Sequence, residues 1–334
     1  MQRPLDLAYL FHEALTQIGW QGDAQALADR VQRLNVGLPV EDEFSVVCAW
    51  LGRCELLHKL DQQQVPVTSK QRFQVPDLLA RFSTQRGTTP VLIEVKSKKG
   101  NVLSMTPDYL ERLQNYAQLL NVPLLIAWKT HVWTLFEAKH LAIKGKNYSI
   151  SANDAMQQSL MGALAGDTAY IVGRGAGIHL QAKKDALLSR TETTEGIREN
   201  WRVLFDRIEF SDYEGNRRTD LSAEVQAFFY TWDLSQTTEQ DETRLRASFI
   251  VEDNDYMQFG HSALVRLLHW ESVDKSPLQW RGLLERESAT AIIKNFPKAL
   301  EAAHREKVVS HIFYVRPLDM PEFIADEKPW TRDS

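Results

Sequence analysis

Three ionisable side chains interrupt the apolar runs of residues 73–100, FQVPDLLARFSTQRGTTPVLIEVKSKKG. They are Asp77, Glu94 and Lys96. The segment between the runs is turn material, STQRGTTP, so the stretch reads as a β-hairpin over 71–82 and 91–98. Opposite residues of an antiparallel pair lie equally far from the turn. With the turn centred between Gln85 and Arg86, Asp77 falls opposite Glu94. Lys96 lies two residues beyond Glu94, so both project from the same face of their strand. Simple closure thus gathers two carboxylates and an ammonium group.

Two facing carboxylates repel unless something compensates them. A divalent cation with oxygen ligands does so, and Mg2+ is commonly held by one or two carboxylates together with water and substrate phosphate. Such a cation polarises phosphate and lowers the pKa of an attacking water. Lys96 would place that water or offset phosphate charge, or act as a base if burial lowered its pKa. Glu-x-Lys by itself also suits a solvated sheet face. Asp77 in the facing strand and the apolar Val91-Leu92-Ile93 leading into the pair favour the chemical reading.

The remaining elements must position this group. LDLAYLFHEAL and DAQALADRVQRL within residues 5–35 have helical apolar spacing, and a third helix is expected over 40–51, where Phe44, Val47, Cys48 and Leu51 form one stripe. Gly52 would end it, and CELLHKLDQ leans to strand. TPDYLERLQNYAQLLN predicts a helix with Thr106 as N-cap and Pro107 at its first position. VPLLIAWKT and VWTLFEAKHL predict strands. In the second half, SANDAMQQSLMGALAG predicts a helix, and TAYIVGRGAGIHLQAK predicts two strands about a glycine-rich bend. TEGIRENWRVLFDRIEF reads as helix then extended chain, and the segment from Leu221 to Val251 reads as strands around a polar loop. HSALVRLLHWE and ESATAIIKNFPKALEAAHREK predict helices, and VSHIFYVRPL a strand. The domain expectation is a helical extension over 1–40, an α/β core over 41–145 and an α+β unit over 150–334 for recognition or dimerisation.

At this point VPD at 75–77 followed by IEVKSK at 93–98 resembles the PD-(D/E)XK nuclease superfamily, over about residues 40–136. The resemblance implies a restriction-endonuclease-like fold, a mixed sheet flanked by helices, and Mg2+-dependent hydrolysis of DNA phosphodiesters in restriction, phage defence or DNA repair. Mn2+ is the alternative ion. Asp77, Glu94 and Lys96 match the three signature positions, with Asp77, Glu94 and the Val95 carbonyl expected as metal ligands. An upstream helix often gives a further acid, for which Glu43 is the choice, ahead of Glu41 and Glu55. The helix after the hairpin often carries a glutamine and an aromatic residue, which Gln114 and Tyr116 fit. A catalytically silent nucleic-acid-binding or assembly module with the same fold is the rival reading.

The bulk numbers agree with a folded chain: 334 residues, 43% apolar, net charge −5. The overall charge gives no argument for nucleic acid, but residues 70–100 hold seven Lys or Arg against two acids. Arg86, Lys98, Lys99 and Tyr116 are the expected DNA contacts, and a homodimer would bring two sites to opposite strands. Cys48 and Cys54 have no metal-ligand spacing, and the histidines show neither HxxxH nor HExxH. Gly173, Gly175 and Gly177 lack the acid-bearing context of a dinucleotide site and fit a bulged turn. No signal peptide or membrane span is read, so the expected location is cytoplasmic.

Overall fold

The computed structural model describes residues 40–61, 64–84, 90–193, 196–253, 255–271, 280–284, 287 and 293–324. The helices expected within 5–35 and the turn residue Arg86 lie outside them. Residues 40–50 are helical (α1), and Phe44, Val47, Cys48 and Leu51 are buried as their spacing requires. Gly52 follows with φ +98°, a left-handed backbone that stops the helix. Then come β1 (Cys54–Lys59), β2 (Leu78–Phe82), β3 (Pro90–Ser97) and β4 (Val102–Met105). The strand expected from 71 begins only at Leu78; Val67–Gln71 is a 3-10 turn. Pro76 has no N–H to give a ladder, which accounts for the late start.

Helix α2 (Pro107–Leu120) crosses over to β5 (Leu124–Lys129), and β6 (Trp133–Glu137) follows. Thr106 stands at the N-cap without a side-chain bond, and Asn121 closes the helix in the left-handed region. The strands make one sheet in the order β1-β2-β3-β5-β6, parallel only between β3 and β5. A parallel neighbour needs a long crossover, and α2 supplies it. Residues of β3 alternate between two apolar layers. Val91, Ile93 and Val95 pack on the face shared with α1, and Leu92 packs on the face shared with Leu110, Leu113 and Ala117 of α2. This is a restriction-endonuclease-like α/β arrangement, a mixed sheet flanked by helices.

Strands β7 (Ala142–Lys144) and β8 (Asn147–Ser151) join β4 in a small sheet. The helix expected over 151–166 divides into α3 (Ala152–Gln157) and a π-helical turn at Met161–Ala165. Next are β9 (Ala169–Val172), β10 (Gly177–Thr193), β11 (Gly196–Ser211) and β12 (Arg217–Arg218). The helical reading of the β11 segment is corrected: Gly196–Ser211 is a strand paired with β10, with a bulge at Asp206. A bulge puts Trp201, Phe205 and Ile208 at intervals of four and three, which imitate a helical stripe. The strand reading of 221–251 is corrected in its first part. Ser222 caps α4 (Ala223–Gln226), and a 3-10 turn (Ala227–Thr231) precedes β13 (Ser235–Gln240) and β14 (Arg244–Ile250).

The described part of the chain ends with β15 (Gln258–Phe259), α5 (Gly260–Glu271), a short helical turn at Trp280–Leu284, α6 (Phe296–Arg305) and β16 (Val309–Phe313). Helix α6 starts later than expected because Asn295 caps it and Pro297 takes its first turn. The glycine-rich bend serves close packing. A Cβ on Gly173 would lie 2.4 Å from the Tyr213 side chain, and one on Gly177 would lie 2.3 Å from the Phe249 carbonyl. Among the described residues no helix is long and apolar enough to cross a membrane.

The first apolar layer does not end at the 145–150 boundary. Phe44, Val95 and Trp133 belong to one buried cluster with Tyr170, Phe228 and Leu300. A polar pin crosses the same junction. The Trp133 amide donates to His261 Nε2 at 3.0 Å, and His261 Nδ1 lies 2.6 Å from Asp167 Oδ2. An amide can only donate, so Nε2 accepts and Nδ1 carries the proton, which makes His261 a neutral donor to Asp167. Both side chains are buried. Replacing the imidazole by an apolar group strands the Trp133 N–H and one carboxylate oxygen. His261→Leu is therefore expected to cost about 3 kcal/mol, read as a lower urea midpoint; an unchanged midpoint would mean that the pin contributes nothing.

Candidate active site

The hairpin register is the one that turn symmetry predicts. Leu78 pairs with Ile93 and Leu79 with Leu92, which continues to Asp77 opposite Glu94. Asp77 sits just ahead of β2, where its Oδ2 accepts the Val95 N–H at 2.7 Å. Glu94 and Lys96 lie on the α2 face of β3, and their side chains form an ion pair. Glu94 is 1% exposed, a value that an isolated carboxylate would not tolerate. The side chain that makes it tolerable, besides Lys96, is Tyr109. Its hydroxyl donates to Glu94 Oε1 at 2.5 Å and accepts from Lys96 Nζ at 3.2 Å. The same ammonium lies 4.8 Å from the Tyr109 ring centroid.

These partners crowd one oxygen of Glu94. The other, Oε2, is buried and has no hydrogen-bond partner. Burial, and then the negative charge of Glu94, push the Asp77 carboxyl up to about 7, despite the Val95 amide bond that opposes the shift. An orphaned carboxylate oxygen beside an acid resisting ionisation is a donor set that fits a hard divalent cation. Burial works against the charge on Lys96, but Glu94 outweighs it and raises its pKa. Lys96 is thus held as a cation, and the base role that a lowered pKa would have allowed does not apply to this geometry.

Helix α1 offers its acids unequally. Residues 41 and 43 lie about 200° apart around a helix, so one side alone can face Asp77. Glu41 is on that side, where it is paired with Lys59 at 3.1 Å and its charge acts on Asp77. Glu43 points to Lys129 and Trp133, with Oε2 2.5 Å from Lys129 Nζ and Oε1 3.1 Å from Trp133 Nε1. Glu55, near the far end of β1, is exposed and pairs with Arg81 at 3.2 Å.

Gln114 is not brought to the acids. It lines an open depression of about 470 Å³ with Gln118, Asn121, Glu137 and Lys139. Tyr116 packs, half-buried, on the α2-side apolar layer. Lys98 and Lys99 are exposed just past β3. Tyr109 is the residue that sequence reasoning missed. It begins the stripe Tyr109, Leu113, Tyr116, Leu120 at helical spacing, and its place in the first turn puts it against the end of β3 that carries Lys96. A second group of possible ligands, Glu137, His140 and Asp319, brings its donor atoms within 4.8 Å of one another. The Lys139 ammonium already bridges Glu137 and Asp319 at 2.7 and 3.0 Å, which compensates their charge.

Residues 66–165 match the family described as archaeal Holliday junction resolvase. That family lies within the PD-(D/E)XK nuclease superfamily, so this segment of the chain is a PD-(D/E)XK segment. Among solved structures the chain is similar to the Holliday junction resolvase of Archaeoglobus fulgidus, with 24% identity, 35% of this chain and 89% of that chain covered, and a TM-score of 0.29. No curated protein matches the chain.

Two outcomes follow from the site's geometry. In the folded chain Asp77 keeps its proton up to about 7, while the unfolded chain releases it near the ordinary carboxylate value. The folded state therefore binds more protons across that window, and the metal-free protein loses stability as pH rises through it. Asp77→Asn should remove this slope, and Mg2+ should restore wild-type stability above about pH 7; parallel melting-temperature profiles for the two proteins would refute the assignment. Tyr109→Phe leaves the ring and removes the donor to Glu94. It should weaken Mn2+ binding about tenfold or more by calorimetry, the effect of losing a group that orients a ligand.

Proposed function

We propose that the chain is a divalent-metal-dependent DNA endonuclease that acts on branched duplexes, with Asp77, Glu94 and Lys96 as its catalytic group. The observation that carries this reading is Glu94 Oε2, buried and without a hydrogen-bond partner, on the β3 residue that the register sets across from Asp77. Asp77, Glu94 and the carbonyl of Val95 would hold Mg2+, or Mn2+ in its place. The ion would supply charge at the scissile phosphate and a lowered pKa for the attacking water.

The chain's own residues do the rest. The Val95 N–H fixes the Asp77 carboxylate, and Tyr109 fixes that of Glu94, so the two do not have to find their positions when substrate arrives. Lys96, kept charged, donates to the water and offsets negative charge gathering on phosphate oxygens. Glu41 is the better candidate for the upstream acid, because Glu43 is taken up by Lys129 and Trp133. Lys98 and Lys99 would hold the backbone without reading bases, and Arg86 and Tyr116 remain candidates for the same task. The matched family's own name, a resolvase of Holliday junctions, supports four-way DNA as the substrate and repair of branched DNA as the setting. The residues after 150 would serve recognition or self-association.

The reading is tested on four-way, nicked, linear and single-stranded DNA and on RNA, with and without Mg2+. The expected result is metal-dependent cleavage that favours the four-way junction, with Asp77→Ala and Lys96→Ala each losing at least about a hundredfold. Wild-type protein that binds the junction but never cuts it, in either metal, would identify a silent binding module instead.

A further inference from the structure

The loop between β1 and β2 is fastened along α2. The Gln74 amide donates to the Arg112 carbonyl at 3.0 Å, Arg112 Nη1 to the Lys70 carbonyl at 2.9 Å, and Asn115 Nδ2 to the Arg72 carbonyl at 3.2 Å. Within the loop, the amides of Arg72 and Phe73 both donate to the Ser69 carbonyl, at 3.0 and 2.9 Å. Its C-terminal end runs through Pro76 into Asp77. Arg112 and Asn115 lie one and two helical turns beyond Tyr109, about 5 and 9 Å along the axis. The loop therefore stands beside the acids, about one to three nucleotides away at the ~3.4 Å rise of a DNA strand.

Its surface has two parts of unlike chemistry. Between Asp61 and Asp77 the sequence holds Lys70 and Arg72 and no acid. Both cations are exposed, and among the described residues neither forms an ion pair. The Arg72 guanidinium is braced over Phe73, 5.2 Å from the ring centroid. A surplus of positive charge beside a phosphodiester site fits a nucleic-acid backbone. The other part is apolar. Val65 is 88% exposed and Val67 74%, on either side of Pro66. No other large apolar side chain among the described residues is as exposed as Val65. A phosphate offers such side chains nothing.

Apolar side chains that wedge into nucleic acid meet the faces of bases, between one step and the next. In a continuous duplex this demands unstacking, which is costly. The cost is least where pairing and stacking are already interrupted. A branch point is such a place, with base-pair faces open to contact. Lys70 and Arg72 would hold the backbone of linear and branched DNA alike, whereas only the branch gives the apolar tip a partner. We propose that the Val65–Val67 tip packs against the open base-pair faces at the branch point of the DNA, and is the part of this chain that separates a junction from linear duplex. This rests on the reading of the site as a nuclease for branched DNA, and names what selects its substrate.

The experiment is fluorescence anisotropy of the full chain on a labelled four-way junction and on linear duplex of the same sequence, in EDTA, where nothing is cut. Wild type is expected to bind the junction at least about tenfold more tightly than the duplex. Val65→Ser with Val67→Ser should remove about tenfold from junction affinity and leave duplex affinity unchanged. Lys70→Ala with Arg72→Ala should weaken both alike and lower the slope of log Kd on log salt by about two. If the double valine variant does not keep a wild-type melting curve, Val65→Ser alone reads the tip, since an exposed side chain contributes little to stability. A valine variant that keeps the junction preference overturns the proposal, as does one weakened equally on both DNAs, which would make the tip a general contact. A wild type that cuts in Mg2+ but binds both DNAs equally also overturns it and leaves the nuclease reading in place. A wild type that never cuts, yet loses its junction preference with the valines, does the reverse.

Discussion

Glu94 is a carboxylate withdrawn from water and set across a hairpin from a second carboxylate, Asp77. Burial, and then the charge of Glu94, raise the cost of ionising Asp77. The surrounding groups have one effect in common, which is to keep this pair in place. The Val95 amide holds Asp77, while the Lys96 ammonium and the Tyr109 hydroxyl hold one oxygen of Glu94. Asp77 remains protonated to about 7 and Glu94 Oε2 remains without a partner. The site is therefore loaded with uncompensated acceptor capacity, a state that an added cation relieves and that an apolar core would never retain.

Everything else near the pair follows from where the hairpin must stand. The β2–β3 register sets Asp77 against Glu94, and β3 gains a parallel neighbour because α2 carries the chain across to β5. The same crossover lays Tyr109 over Lys96. Thus the helix that completes the sheet also supplies the group that orients the acid. The alternation of β3 is what divides these duties. Its odd-numbered residues pack toward α1, and its even-numbered residues set Leu92 in the apolar layer and Glu94 and Lys96 beside Tyr109 on the α2 side.

The hairpin was legible because strand period and turn symmetry are local rules, and Asp77, Glu94 and Lys96 obey them. The upstream acid was harder. Glu41 and Glu43 are both sensible by type, and only the packing of α1 decides that the second meets Lys129 and Trp133. Gln114 drew attention by type too, whereas Tyr109 looked like one more member of an apolar stripe. Its role depends on the distance between the first turn of α2 and the end of β3, which no spacing within one segment encodes. The β11 segment failed for another reason. A bulge shifts a period of two by one residue, and the result reads as a helix until the partner strand is known.

The apolar layer behind the site runs on into the C-terminal half. Val95, whose amide holds Asp77, has its side chain in the same buried cluster as Trp133, Tyr170 and Leu300. Trp133 in turn holds Glu43 through its indole and His261 through its amide. Its place on β6, at the edge of the sheet, makes it a point where α1, the five-stranded sheet and the C-terminal half meet. A native interior is close-packed and passes displacement on rather than absorbing it. The C-terminal half therefore bears on the strand that positions both acids, even though it contributes no residue to them.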